Sequence, residues 1–187
     1  IGNDAYLSTA WHTLNFFFSD VGGFDQPGIH QECHQDVFAY HPDGRSMSIA
    51  GGWHDAADLT QGTGIQPNRA SPSSKWPVPY KAKTVSSTNA CWKRHAGGVN
   101  WILRTRFGDG YRLGGLIIGI WTKNIRGDKD DMQTEARNTP TDNLKAASSC
   151  ALAAPHFEKK DPVFARWCRN SAIEDFQIRH RPAGYAK

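Results

Sequence analysis

Apolar residues recur at helical spacing in four stretches of the chain. In Asp4–Asp20 the repeating apolar positions predict an amphipathic helix; they are Tyr6, Leu7, Ala10, Leu14, Phe17 and Phe18. Residues 98–107 carry a second pattern of this kind. Residues 144–154 and 162–177 are the clearest remaining helices, and Pro162 suits the first turn of the last one.

The other stretches show little periodicity. Residues 21–64 are rich in Gly, His, Asp and Pro, which is typical of long loops around one short extended piece. Residues 113–121 fit a short buried strand or a loop, and residues 122–143 a polar loop that ends in a helix-start signal at 139–143. Helices joined by long loops, without alternating strands, predict an all-α fold.

Composition places the chain among soluble globular proteins. Of its 187 residues, 39% are hydrophobic and 21% are charged, and the longest apolar run, 113–121, is too short to span a bilayer. The net charge of +4 is scattered rather than gathered in a basic stripe, which argues against a nucleic-acid partner. The four cysteines show no CxxC spacing and are predicted to be buried free thiols rather than a disulfide framework.

The densest group of chemically active residues is Gly51-Gly52-Trp53-His54-Asp55-Ala56-Ala57-Asp58. Carboxylates three residues apart, here Asp55 and Asp58, can lie side by side on a helical turn. Together they could hold one water, with one carboxylate as general base and the other orienting the water. On spacing alone, a helix N-cap followed by a first-turn acid is the better explanation of the pair.

The context of this pair resembles family 9 glycoside hydrolases. Residues 51–58 are similar to the family signature Gly-Gly-Trp-His-Asp-Ala-Gly-Asp, and Cys33-His34-Gln35-Asp36 and Pro42-Asp43-Gly44 resemble the approach to it. Residues 98–104 are similar to the family's Trp-Gly-Leu-Asn-Trp-Ile-Leu helix. The resemblance implies that residues 1–187 are an incomplete N-terminal portion of an (α/α)6 barrel. It also implies inverting hydrolysis of β-1,4-glucosidic bonds in cellulose-type β-glucans.

The resemblance assigns roles to particular residues. Asp58 matches the catalytic base and Asp55 the residue that helps hold the attacking water. Trp53 and His54 flank the pair and could line the −1 sugar site, although Trp53 could equally pack beneath the loop and His54 orient it. The family's general acid is a Glu late in the barrel, beyond this chain, so the isolated chain is expected to be inactive.

Two departures from the family pattern bear on these roles. Ala57 stands where Gly is usual, and this matters if the position needs a positive φ. Leu59 follows the signature where an aromatic residue is common, which leaves the exact sugar open.

Residues 65–97 fit neither a helix nor a strand pattern, being rich in Ser, Pro and Lys. A flexible linker is the plain interpretation. A second interpretation comes from re-reading each codon one base earlier. Residues 91–97 then permit Leu-Glu-Glu-Ala-Arg-Trp-Gly, which runs directly into the helix pattern after residue 98, and residues 65–68 permit Asn-Thr-Thr-Glu. Because one frame restores both ends, we expect the segment to be out of frame.

Two rival readings remain open. Zinc-ligand residue types crowd one region, although none has a strong spacing signature; they are His30, Cys33, His34, Asp36, His41, His54, Asp55 and Asp58. No cofactor is predicted for catalysis, and a structural Ca²⁺ or Zn²⁺ is the alternative. The other rival is a non-catalytic carbohydrate-binding remnant.

Two further expectations follow from the resemblance. An incomplete barrel should leave an apolar flank exposed. The resemblance favours a secreted or periplasmic location. Residues 1–20 lack signal-peptide features, and a mature secreted chain would lack them too.

Overall fold

Four helices and six short strands are formed by the residues that the structure, a computed structural model, describes: 3–55, 59–62, 96–114, 116–117 and 122–179. In chain order they are α1 (Asn3–Ser19), β1 (Val37–Tyr40), β2 (Ser46–Ser48), β3 (Gln61–Gly62), α2 (residues 96–104), β4 (Arg112–Leu113), β5 (Leu116–Ile117), β6 (Met132–Arg137), α3 (Pro140–Phe157) and α4 (Pro162–Arg179). Asp58, Ala57 and nearly all of the 65–97 segment lie outside the described residues.

The prediction of an all-α fold is wrong. Strands β2, β1, β6 and β4 form a mixed four-stranded sheet in that order, and β3 pairs with β5 in a second, two-stranded sheet. β1 is antiparallel to β2 and parallel to β6, which is antiparallel to β4. The strands arise because long connecting segments must satisfy their buried main-chain groups, and they do so by pairing with one another. A closed (α/α)6 barrel is not formed by the described part of the chain.

The strand that the polar pattern concealed is β6. Residues 122–143 were expected to form a loop, yet Met132–Arg137 pairs with both β1 and β4. Its side chains are mostly polar and partly exposed, so the strand lacks the apolar alternation that marks a half-buried one. Residues 21–64 likewise contain three short strands rather than one.

The predicted helices are confirmed, and their starts follow from local capping. Thr139 caps α3, its hydroxyl accepting the N–H of Asp142 at 3.2 Å, with proline in the first turn. α4 starts in the same way, because the carboxylate of Asp161 accepts the N–H of Phe164 at 2.9 Å. Phe157 meets Phe164 edge to face, with ring centroids 4.9 Å apart, and this contact closes the α3–α4 hairpin.

The core lies between the sheet, α2 and the α3–α4 hairpin. Its buried apolar residues are Val37, Ala39, Ile49, Trp53, Val99, Trp101, Ile102, Leu113, Ala146, Cys150, Ala153, Ala154, Phe157, Phe164, Ala165 and Cys168. A buried ion pair crosses this core: the Arg112 guanidinium on β4 donates to Asp175 on α4 at 2.5 Å and to the Asn143 amide oxygen on α3 at 2.9 Å. Burial lowers the pKa of Arg112, and the adjacent Asp175 carboxylate partly offsets that effect.

The expected exposed apolar flank is present on the α3–α4 hairpin. Its large apolar side chains that face solvent are Leu152, Val163, Trp167, Ile173 and Phe176. Trp167 is 56% exposed although it lies on a helix whose opposite side is buried. Among the described helices, none combines the length and the apolar character needed to cross a membrane.

Candidate active site

The Gly51–Asp55 segment is held from behind by the side chain of Gln61. The Gln61 amide oxygen accepts the N–H of Gly52 at 3.2 Å, and its amide nitrogen donates to the Gly52 carbonyl at 3.1 Å. Gln61 is fully buried, so both bonds are shielded from water. The carboxamide therefore pairs with Gly52 as a neighbouring strand would.

The glycines of this region are explained by backbone conformation and close packing. Gly51 has φ +90°, a conformation that L side chains rarely adopt. A Cβ on Gly52 would lie 2.9 Å from the Trp101 indole on α2. A Cβ on Gly98 would lie within 1.9 Å of the Trp53 ring. The two tryptophans therefore pack against main chain, which brings the loop onto α2.

Helix α2 also bonds to the main chain just before the loop. The indole N–H of Trp101 donates to the Ile49 carbonyl at 2.8 Å, and the Arg104 guanidinium donates to the Ala50 carbonyl at 2.9 Å. On the opposite side, the N–H of Gly22 donates to Gly52 at 2.8 Å. The loop is thus fixed between α2 and the segment that follows α1.

Asp55 is the exposed residue at the end of this buried segment. Its main-chain N–H donates to the Thr60 carbonyl at 2.7 Å, while the preceding residue, His54, donates to the Asp20 carbonyl at 3.0 Å. Leu59 has φ +55°, a left-handed conformation that turns the chain back toward Thr60. The hydrogen bond from Asp55 to Thr60 therefore joins the two ends of the interval 55–60, and Asp58 falls in that interval by sequence although it lies outside the described residues.

Trp53 and His54, the two residues before Asp55, are buried. Trp53 is 4% exposed and His54 is 1% exposed. Trp53 belongs to the hydrophobic core and forms an isolated bridge with Val21. These contacts correspond to the packing and orienting roles considered for the two residues; their predicted substrate-binding roles stay predictions.

The zinc-ligand residue types separate into groups. Cys33, His34 and His54 are buried, and each offers a ligand atom within 4.8 Å of the others. Cys33 Sγ lies 3.2 Å from His54 Nε2, and the His34 and His54 ring centroids are 5.5 Å apart. The His30 ring lies edge-on to His54 at 4.8 Å, with its Nε2 3.1 Å from the Ser19 carbonyl. The structure therefore brings together three of the eight predicted residues, with the His30 ring packed against one of them.

The buried group has a donor set that fits zinc. Cysteine thiolate and histidine imidazole are both zinc ligands, and these three residues would supply three of the four positions of a tetrahedral site. Burial raises the pKa of the Cys33 thiol, an effect opposed by a hydrogen bond with main chain at Gly23. Since zinc binds the thiolate, binding would release the Cys33 proton. His34, with φ +60°, is held in a left-handed conformation that turns its ring toward this group.

His41 belongs to a second, partly exposed group with Asp43 and Asp109. The Arg45 guanidinium bonds both carboxylates, at 2.7 Å to Asp43 and 2.5 Å to Asp109. The pKa of Asp43 is lowered to about 2, chiefly by the hydrogen bond from the Arg45 main-chain N–H. Because the Arg45 guanidinium already binds both carboxylates, this group braces two loops rather than presenting an open metal site.

Sequence reasoning missed Gln61 and Arg104. Nothing in the local pattern marks Gln61, because its function depends on reaching back nine residues to Gly52. Arg104 lies within the recognised helix pattern, yet its bond to Ala50 spans 54 positions.

A cavity of about 360 Å³ lies between α2 and α4, and none of its lining residues belongs to the 51–60 segment.

Comparison with known proteins gives matches among solved structures. No protein-family model matches the sequence, and no curated protein matches it. A thermostable endoglucanase mutant from Alicyclobacillus acidocaldarius matches with TM-score 0.67 at 18% identity, over 100% of this chain and 41% of that one. AaCel9A in complex with a cellobiose-like isofagomine matches with TM-score 0.65 at 19% identity, over 98% of this chain and 40% of that one.

A zinc-binding triple mutant of the family 9 endoglucanase J30 also matches, with TM-score 0.62 at 21% identity, over 94% of this chain and 38% of that one. The chain thus spans about two fifths of the length of these solved proteins. These matches confirm the resemblance that the motifs indicated: the chain has the fold of a portion of a family 9 glycoside hydrolase.

Proposed function

We propose that this chain supplies the base side of an inverting glycoside hydrolase that cuts β-1,4-glucosidic bonds in cellulose-type β-glucans. Asp58 removes a proton from the attacking water, and Asp55 orients that water. A water on the ring face opposite the leaving group inverts the anomeric carbon. The fold shared with solved endoglucanases supports the reaction class, and the cellobiose-like ligand of AaCel9A supports a β-glucan partner.

The observation that carries the proposal is the exposure of Asp55 together with its main-chain hydrogen bond to Thr60. Asp55 is exposed while the two residues before it are buried, so the chain delivers a carboxylate to the surface at a fixed point. The hydrogen bond from Asp55 to Thr60 restrains the interval that contains Asp58. A water held between carboxylates needs such restraint, because both must stay within hydrogen-bond reach of it.

Trp53 and His54 are proposed to act on substrate binding indirectly, by fixing the position of Asp55. Their burial leaves little surface for a sugar ring, whereas their contacts fix the direction in which the chain leaves the core. A sugar-facing role at the −1 site is the other proposal, and it requires both side chains to become exposed when substrate binds.

We place the general acid outside the 187-residue stretch. Glu158 and Glu174 are exposed on α3–α4, where they bond Arg169 and Arg106 respectively. Both are therefore engaged in surface ion pairs. A stretch that holds only the base is expected to be inactive on unactivated glucan, since acid or base assistance is worth about 10²–10⁴-fold. Export to the periplasm or outside the cell is proposed from the resemblance to family 9 glycoside hydrolases.

The test is the stereochemistry of an in-frame, complete domain. Proton NMR of cello-oligosaccharide hydrolysis should show the α-anomer first, because inversion at a β-linkage produces it. Appearance of the β-anomer first would refute the inverting mechanism. Binding of cello-oligosaccharides without hydrolysis would favour a carbohydrate-binding remnant.

A structural zinc site is the second candidate function. The observation that favours it is the buried Cys33, His34 and His54 group, with its 3.2 Å separation between sulfur and imidazole nitrogen. A metal held there would tie the 30–36 segment to the catalytic loop through His54. It would act on structure, because the three ligand residues are buried while Asp55 is exposed.

A further inference from the structure

Helix α2 directs one guanidinium at the point where the candidate catalytic loop begins. Arg104, the last residue of α2, donates from Nη2 to the Ala50 carbonyl at 2.9 Å and from Nε to the Asn100 amide oxygen at 3.0 Å. Asn100 lies one turn earlier on the same helix, so its bond fixes the orientation of the guanidinium plane. Ala50 directly precedes Gly51, and a Cβ on Gly51 would lie 2.9 Å from Arg104 Nη2. The guanidinium therefore packs against the main chain at the start of the loop.

Arg104 differs in its partners from other arginines of the described chain. A carboxylate pairs with each of four others, which are Arg45, Arg106, Arg112 and Arg169. Arg104 bonds two neutral oxygens, and among the described residues no acid forms an ion pair with it. Burial lowers the pKa of Arg104. Because a charged donor makes a stronger hydrogen bond than a neutral one, the contact with Ala50 is a strong restraint on the main chain.

This restraint lies between two others on the way to Asp55. The Ile49 carbonyl accepts the Trp101 indole N–H at 2.8 Å, and Gly52 pairs with the Gln61 amide. Asp55 follows Ala50 by five residues, so a shift of the main chain at Ala50 moves the carboxylate. A misplacement of about 1 Å can lower the rate of a reaction about 10²-fold.

We propose that Arg104 is a positioning residue for hydrolysis: its bond to Ala50 sets the direction in which the chain enters the loop, and thereby the place of the Asp55 carboxylate. This inference rests on the proposed function of the loop. Arg104 acts through the main chain rather than on the reacting atoms. Loss of its guanidinium should therefore lower kcat and leave KM nearly unchanged.

The cavity between α2 and α4 offers a matched control and a route for chemical rescue. Both Arg104 and Arg106 line it. Arg106 bonds Glu174 on α4 at 2.6 Å, whereas Arg104 bonds the start of the loop. Because Arg104 is exposed and borders this cavity of about 360 Å³, its removal leaves a space that a guanidinium ion from solvent can enter.

The first measurement is amide hydrogen exchange, followed by mass spectrometry, in the 187-residue chain. The amides of Gly52, His54 and Asp55 are hydrogen-bonded, so Arg104→Ala should speed exchange in peptides covering 48–55 by about tenfold or more. Guanidinium chloride well below its denaturing concentration should restore slow exchange, and sodium chloride at the same ionic strength should not. Arg106→Ala should leave exchange in these peptides unchanged.

A second variant covers the case in which Arg104→Ala does not fold. Arg104→Lys keeps the positive charge but lacks the planar fork of donors. Exchange should rise in the same peptides, by a smaller factor than alanine would give.

The second measurement is turnover of cello-oligosaccharides by a complete, in-frame domain. Arg104→Ala should lower kcat by about 10–10²-fold with KM within about threefold of wild type, and guanidinium should recover part of the loss. Arg106→Ala should keep kcat.

Four outcomes would overturn the proposal: wild-type exchange in Arg104→Ala, equally fast exchange in Arg106→Ala, a change in KM rather than kcat, or no rescue by guanidinium in either measurement. An inactive wild-type domain would instead refute the proposed function of the loop. The exchange contrast between the two variants would still decide whether Arg104 holds the loop in place.

Discussion

The main-chain N–H of Asp55 donates to the carbonyl oxygen of Thr60 at 2.7 Å, across the interval that contains Asp58 in the sequence. The residues on either side of this bond are anchored independently. His54 donates to Asp20, and Gln61 pairs with Gly52 through both ends of its amide. The residues that flank the interval containing Asp58 are therefore tied to two other parts of the chain, His54 to Asp20 and Gln61 to Gly52.

The pairing of Gln61 with Gly52 should contribute measurably to stability. Gln61→Leu keeps most of the volume but leaves the buried N–H of Gly52 without its acceptor, so we expect a loss of about 1–3 kcal/mol in the free energy of unfolding. Denaturant unfolding followed by tryptophan fluorescence measures it. Gln177→Leu, on the exposed face of α4, is the matched control and should change stability by no more than about 0.5 kcal/mol. Equal effects of the two substitutions would contradict a stabilising role for the Gln61–Gly52 hydrogen bonds.

The buried cysteine–histidine group is expected to bind one zinc ion. Cys33→Ser should weaken zinc binding by about tenfold or more, because a hydroxyl replaces the thiolate ligand. Equilibrium dialysis against zinc measures the affinity. Zinc at about 100 times its Kd should raise the free energy of unfolding by about 2.7 kcal/mol.

Asp43→Asn is the control for zinc binding, since it alters the exposed group whose carboxylates are already bound by Arg45. Zinc binding that survives Cys33→Ser but is lost in Asp43→Asn would place the metal at that exposed group instead.

The helices could be predicted because their signals are local. Thr139 and Pro162 mark helix starts in the sequence, and in the structure Thr139 caps α3 and Pro162 begins α4. Strand β6 could not be predicted, because its polar side chains show no alternation and its place depends on parallel pairing with β1. The site divides in the same way. The motif marks Asp55, but the role of Gln61 depends on a contact that only the folded chain creates.

The out-of-frame reading of residues 65–97 makes a prediction about the gene. Resequencing should show compensating insertions or deletions near Gly64 and Gly97. In the restored frame the α2 helix should begin earlier, with Leu-Glu-Glu-Ala-Arg-Trp-Gly leading into Val99. Peptide mass spectrometry of a natively active enzyme that recovered the printed 65–97 sequence would refute the reading.

The exposed face of α4 should matter more in a complete domain than in this chain. Trp167 is 56% exposed, so Trp167→Ala should cost no more than about 1 kcal/mol in the 187-residue chain. If further helices of the domain cover this face, the same substitution in the complete domain should cost about 3–5 kcal/mol. Unfolding free energies of the four proteins measure the difference. A small effect in both lengths would show that this face stays open to solvent.

Asp55→Asn tests the weaker of the two catalytic roles. In a complete, in-frame domain it should lower turnover less than Asp58→Asn does, because orienting the water is a smaller contribution than accepting its proton. Turnover of cello-oligosaccharides measures both, with binding followed separately by calorimetry. A larger loss from Asp55→Asn would exchange the two assignments.

The measurement that tests the central claim most directly is turnover of an activated aryl cellobioside by the complete domain carrying Asp58→Asn. A good leaving group needs little help from the general acid, so this substrate reports on the base alone. We predict that kcat falls by about 10²–10⁴-fold while binding of cello-oligosaccharides is largely retained. Wild-type turnover by Asp58→Asn on this substrate would contradict the assignment of Asp58 as the base.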